Sequence, residues 1–121
     1  MFTLDTNILI YDAAEDPGIV SFLESHRSDI YYLPSIVVLE FLSYPLILPG
    51  GITRFKSFLS QTILLNLDLT IAEQAAEIRR KYRIELADAV IASSAILTNS
   101  TLVTRNVKDF KRIKGLSVVA P

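Results

Sequence analysis

The segment "MFTLDTN" at the start of the chain sets the tightest condition on its fold. Phe2, Thr3 and Leu4 form a short run suited to a buried strand, and Asp5 follows without a break. A carboxylate in a dry interior is costly unless something compensates it. The arrangement is comfortable where the strand ends at the rim of a sheet and a helix begins, capped by Asp5 or Thr6.

The same alternation runs through the chain. "DTNILIYDAAE" reads as a helix, and Pro17 opens a second one over "GIVSFLESHRS" with proline in its first turn. "DIYYLP" is aromatic and stopped by Pro34, as a strand would be. Ser35 is expected to cap a helix over "IVVLEFLSY", although the β-branched residues there also permit a strand. "PLILPGG" reads as a loop, "ITRFKSFLSQ" as a helix and "TILLNLD" as a strand. Thr70 and Glu73 have the spacing of a capping box for "TIAEQAAEIRRKY". "ELADAVIASSAILTN" is a strongly apolar helix, and "STLVTR" and "LSVVAP" are strands. The pattern predicts an α/β fold, a three-layer α/β/α sandwich around a mostly parallel central sheet. At 121 residues the chain is expected to form one domain, residues 1–121. Ligands of open sheets bind beyond the carboxyl ends of the strands, and Asp5 and Asn106 both fall there.

Two further acids share the difficulty of Asp5. On a helix, Asp88 has Ile91, Ala92 and Ala95 as same-face neighbours, so it lies on or beside the apolar stripe. Glu40 has Ile36 and Val37 behind it and Leu39 and Phe41 beside it, with no basic residue between Arg27 and Arg54. Singly, each acid has a simpler account: a helix cap for Asp5, an exposed edge for Glu40, a distant arginine for Asp88. Gathered together, they would raise one another's pKa unless a cation sat among them. The chain has no cysteine, and its one histidine, His26, is expected at an exposed helix end. Oxygen ligands of this kind suit Mg²⁺ or Mn²⁺ rather than Zn²⁺. "TLVTRNVKDF" adds Thr104, Asn106 and Asp109, of which Asn106 offers a carbonyl oxygen and Asp109 a carboxylate. Taken alone, "NVKDF" reads as a turn with Phe110 as a core plug.

Composition narrows the setting. Half the residues are hydrophobic and mean hydropathy is +0.39, enough to fill a core and leave apolar surface for a partner, with "FLSYPLILPGG" as the candidate patch. That stretch reads equally well as loop and core. Glu40, Pro45 and Pro49 interrupt the most apolar segment, so no membrane span is expected. The start of the chain lacks a basic region and cleavage site, and with the absence of cysteine this fits a cytoplasmic location. A net charge of −1 says nothing about nucleic acid, but nine of the twelve basic residues lie between Arg79 and Lys114. Arg105 and Lys108, beside the candidate site in sequence, could bind phosphate or simply be solvated.

"LDTNILI", the helix with Glu40, "ELADAVIASSA" and "LVTRNVKDF" follow in the order and approximate spacing of PIN-domain proteins. Over essentially its whole length the chain resembles the VapC-type ribonuclease toxins of prokaryotic toxin–antitoxin pairs. The resemblance implies a Mg²⁺- or Mn²⁺-dependent endoribonuclease that hydrolyses RNA, with Asp5, Glu40 and Asp88 as metal-holding catalytic acids. It also implies polar support from Asn7, Thr104 and Asn106, a cognate antitoxin partner and a homodimer. One departure stands out. Many family members carry a fourth acid eighteen positions after the helical aspartate; here that position is Asn106, and Asp109 follows three residues later. Two other classes compete. A haloacid-dehalogenase-like phosphatase needs a second acid where this chain has Asn7. A non-catalytic RNA- or protein-binding module of the same fold would show a broken acid set, and here Asp5, Glu40 and Asp88 are intact.

Overall fold

The first strand, β1 (Phe2–Leu4), lies at the centre of a five-stranded sheet in the computed structural model, which describes residues Met1–Pro121. On one side of it pair β2 (Tyr31–Pro34) and then β3 (Ile63–Leu65); on the other, β4 (Thr101–Val103) and then β5 (Val118–Val119). Every pairing is parallel, so the sheet is parallel throughout rather than mostly so. Leu4 stands opposite Val103, and the Asp5 amide extends the ladder by donating to the Val103 carbonyl at 3.1 Å.

Seven helices cover the sheet: α1 (Thr6–Ala13), α2 (Pro17–Ser25), α3 (Ser35–Ser43), α4 (Pro49–Leu59), α5 (Leu69–Tyr82), α6 (Leu86–Leu97) and α7 (Val107–Phe110). Together they form the expected α/β/α sandwich. Parallel crossovers are right-handed as a rule, and with this strand order that rule puts α1–α4 over one face and α5–α6 over the other. Leu4, Leu33, Leu102 and Val103 of the strands meet Ile8, Phe41, Ile91 and Phe110 of the helices in the core. Phe41 stacks on Phe55 at 4.0 Å between ring centroids. Residues Ala89–Ala95 of α6 are all buried, which the run of small side chains makes possible.

The helix starts depart from the pattern at three places. Pro34, not Ser35, is the N-cap of α3; Ser35 is its first residue, and its hydroxyl instead accepts from the Leu67 amide at 3.3 Å. Asp68 caps α5 by accepting from the Ile71 amide at 2.9 Å, so the helix begins ahead of the Thr70–Glu73 box. Carboxylate and short polar caps compete closely, and the earlier one wins here. The residues "PGG" belong to α4, whose first position is Pro49, where a fixed φ and a missing N–H cost nothing. Gly51 allows close approach to α1, since a Cβ there would stand 3.2 Å from that of Ala13. His26 ends α2 but is half-buried: its ring stacks on Phe22 at 4.2 Å and meets the edge of Phe2.

Asp12 on α1 shows how this fold treats a buried acid that serves structure. It is 5% exposed, and the Arg54 guanidinium of α4 donates to both of its oxygens at 3.0 Å.

Candidate active site

At the carboxyl rim of the sheet, a cleft of ≈ 340 Å³ is lined by Asp5, Thr6, Asn7, Glu40, Asp88, Asn106 and Asp109, together with Glu85, Ile10 and Tyr44. Asp5 comes directly from β1, Glu40 from the middle of α3, Asp88 from the first turn of α6, and Asp109 from α7. Four elements far apart in sequence thus deliver carboxylates to one place.

Each acid is held differently. Asp5 is 5% exposed; its Oδ1 accepts from the Thr6 amide at 2.8 Å and its Oδ2 from the Thr104 hydroxyl at 2.7 Å. Thr104, fully buried just past β4, also accepts from the Asn106 amide at 3.0 Å, which fixes the direction of its hydroxyl proton. The Thr6 hydroxyl donates to Glu40 Oε1 at 2.6 Å. Asn106 donates from Nδ2 to Asp109 Oδ2 at 3.0 Å. Asn7 reaches the cleft from the exposed side of α1.

No cation answers this charge. The two ion pairs of the chain are Arg54–Asp12 and Arg105–Asp16, and neither touches the cleft acids. Burial pushes the Asp5 carboxyl above the ordinary range, the Thr104 and Thr6 bonds pull it back, and Glu40 adds to the rise. Asp88 is pushed up to about 6, first by burial and then by Asp5, Glu85, Glu40 and Asp109. The contrast with Asp12 is direct. An acid this fold keeps for structure has a guanidinium; the cleft acids have neutral hydroxyl and amide donors and no cation.

The donor set fits a hard dication: oxygen ligands only, an excess of negative charge, and no nitrogen or sulfur. Asp5, Glu40 and Asp88 could hold it, with Asp109 as a fourth oxygen source. No three of these side chains stand as a preassembled ligand cage. Like charges without a counter-ion repel, and here Glu40 and Asp109 turn to a hydroxyl and an amide instead.

Asp109 is therefore in the cleft together with Asn106, and "VKDF" is a short helix rather than a turn; Phe110 is the buried plug. Lys108 is exposed and in neither ion pair. Arg105, by contrast, is engaged with Asp16. Two cleft residues escape a reading of the sequence. Thr6 registers only as a cap, because Glu40, its partner, lies 34 positions away. Glu85 carries a weak signal, an acid three residues before Asp88 at the start of α6.

Thr104→Val keeps the shape of the side chain and removes the hydroxyl. It is expected to cost about 1–3 kcal/mol in thermal or denaturant unfolding at neutral pH, because Asp5 loses a buried donor. Unchanged stability would show that the bond is not formed.

A profile of the family described as PIN domain matches residues 2–116 of the chain. Ribonuclease VapC2 of Rickettsia felis is 30% identical over 132 residues, covering 96% of this chain and 94% of that protein. A chain in a toxin–antitoxin complex from Klebsiella pneumoniae superposes with a TM-score of 0.84 at 30% identity, over 98% of this chain and 96% of that one. VapBC2 of Rickettsia felis, in a crystal structure with a fragment of promoter DNA, gives 0.83 at 28% identity, over 99% and 98%.

Proposed function

This chain belongs to the PIN domain family, and from that premise we propose that it is a divalent-metal-dependent endoribonuclease of the VapC type, the toxin of a toxin–antitoxin pair. The observation that carries the reading is the gathering of Asp5, Glu40, Asp88 and Asp109 in one cleft with no cation among them. Mg²⁺ or Mn²⁺ bound there would supply Lewis-acid charge to a phosphodiester and make water a stronger nucleophile. The chain itself keeps the acids ready. Thr104 and the Thr6 amide hold Asp5, the Thr6 hydroxyl holds Glu40, and Asn106 steadies Asp109. Lys108, beside Asp109 and exposed, is the proposed contact for an RNA phosphate. His26 is no general base for this site, since it lies outside the cleft against Phe22 and Phe2.

The antitoxin is proposed to enter along the loop between α3 and α4. A groove lined by Ile10, Ala13, Tyr44, Leu46 and Leu48 shares Ile10 and Tyr44 with the acidic cleft, so a segment lying in one reaches the other. Leu39, Leu42, Leu69 and Leu86 are also exposed, an apolar surplus consistent with a homodimer. No helix is long and apolar enough to cross a membrane. Residues 1–121 are read as one such domain, working in the cytoplasm on RNA.

Cleavage of a structured RNA with Mg²⁺ or Mn²⁺, and with EDTA, tests the reading. We expect cleavage with metal, none with chelator, and none from Asp88→Asn in either. The rival reading is a non-catalytic binding module of the same fold. That rival wins if the protein binds RNA but cleaves it with neither metal.

A further inference from the structure

Arg105 stands between Thr104, which holds Asp5, and Asn106, which holds Asp109. Each nitrogen of its guanidinium is engaged within the chain, although the side chain stays about one-third exposed. Nη1 and Nη2 donate to Asp16 Oδ2 and Oδ1 at 3.1 and 2.8 Å, and Nε donates to the Pro121 carbonyl at 3.1 Å. The guanidinium carbon lies 4.7 Å from the centroid of the Tyr11 ring. Asp16 has a second task as N-cap of α2, where Oδ1 accepts from the amides of Gly18 and Ile19 at 3.1 and 3.2 Å. A Cβ at Gly18 would stand 3.0 Å from Arg105 Nη2, so glycine leaves the room in which the guanidinium reaches the helix end.

One side chain thus ties the segment after β4 to the end of α1, the start of α2 and the residues after β5. A planar fork bound at two oxygens and laid on an aromatic ring fixes direction as well as distance, which a lysine could not do. Arginine gripping RNA would have its donors free; here Nε, Nη1 and Nη2 each already donate within the chain, at the surface.

We propose that Arg105 is a positioning residue: it anchors the Thr104–Asn106 segment through Asp16, Tyr11 and Pro121, and so holds Asp5 and Asp109 in register, instead of contacting RNA. Its effect on cleavage rests on the nuclease reading above; the anchoring does not.

Four variants test it: Arg105→Ala, Arg105→Lys, Asp16→Asn and Gly18→Ala. Asparagine keeps a cap for α2 while removing the charge that pairs with Arg105. Amide hydrogen exchange at Asn106 is expected to accelerate about fivefold in Arg105→Ala and Asp16→Asn alike, with the double variant no faster. Gly18→Ala, which crowds the guanidinium, moves exchange the same way, and lysine at 105 does not rescue it. In cleavage, kcat falls about tenfold while KM and the affinity for RNA in EDTA stay within about twofold. The proposal is overturned if Arg105→Ala weakens metal-free RNA binding while Asp16→Asn leaves or tightens it, for then Arg105 grips phosphate. It is also overturned if exchange at Asn106 is unchanged in both. Faster exchange in a protein that never cleaves RNA would uphold the anchor and remove the nuclease reading.

Discussion

Asparagine in place of Asp5 is expected to lower metal-supported RNA cleavage by about a thousandfold, on the scale of removing a group that stabilises transition-state charge. Asn keeps one acceptor for the Thr6 amide and can donate to Thr104 once that hydroxyl proton turns away, so the cap and the β1–β4 junction survive. The substitution also removes a buried, uncompensated charge. The melting temperature in metal-free buffer should therefore stay level or rise, as is common where function holds a site in an unfavourable state. The pairing of lost activity with kept stability is the signature. Cleavage at the wild-type rate would remove Asp5 from the site, and a large loss of stability would make it a structural cap.

The second large effect is on stability. Burial and the neighbouring acids push Asp88 up to about 6 from an ordinary 3.8, and burial raises Asp5 in the same direction. An acid with a raised folded pKa contributes stability that is fully present below its unfolded pKa and lost as pH rises through the folded value. The metal-free protein should accordingly melt higher near pH 5 than near pH 7.5. The Asp16–Arg105 pair acts oppositely, but Asp16 is shifted downward, so its contribution is lost only below about pH 4. Mg²⁺ or Mn²⁺ at a hundred times its dissociation constant should add about 2.7 kcal/mol near pH 7.5, roughly 10 °C for a chain of this size. Near pH 5, where protons compete for the same oxygens, the gain should shrink. Asp88→Asn should flatten both responses and stabilise the metal-free protein near pH 7.5 by about 1 kcal/mol, allowing for the solvent screening of a half-exposed group. A metal-free protein that loses stability on mild acidification would mean that the acids are paired after all.

Much of this was legible residue by residue. The alternation of short apolar runs with amphipathic segments is enough to predict the sandwich, and Asp5 behind "FTL" is enough to put a carboxylate at its rim. Asp88 and Glu40 betrayed themselves by lying on apolar faces without a nearby cation. What escaped was long-range or subtle. The bond from Thr6 to Glu40 spans 34 positions, and that from Thr104 to Asp5 spans 99, so no local pattern announces either. The engagement of Arg105 with Asp16 spans 89 positions and converts a residue that looks free into one that is spoken for. Helix starts slipped where two capping groups lie close together, Asp68 against Thr70, because their difference is smaller than tertiary contacts. The parallel pairing of β5 rests on two residues, too few for a periodic signal.

The bond between Thr104 and Asp5 has a consequence for synthesis. Its partners lie 99 positions apart, and the strands that carry them are neighbours at the middle of the sheet. A nascent polypeptide can bury β1 against β2 early, but its leading carboxylate has no hydroxyl to meet until β4 has emerged. Contacts of such high sequence separation form late. By this topology the acidic cleft stays incomplete until residues 99 positions beyond its first carboxylate have been made.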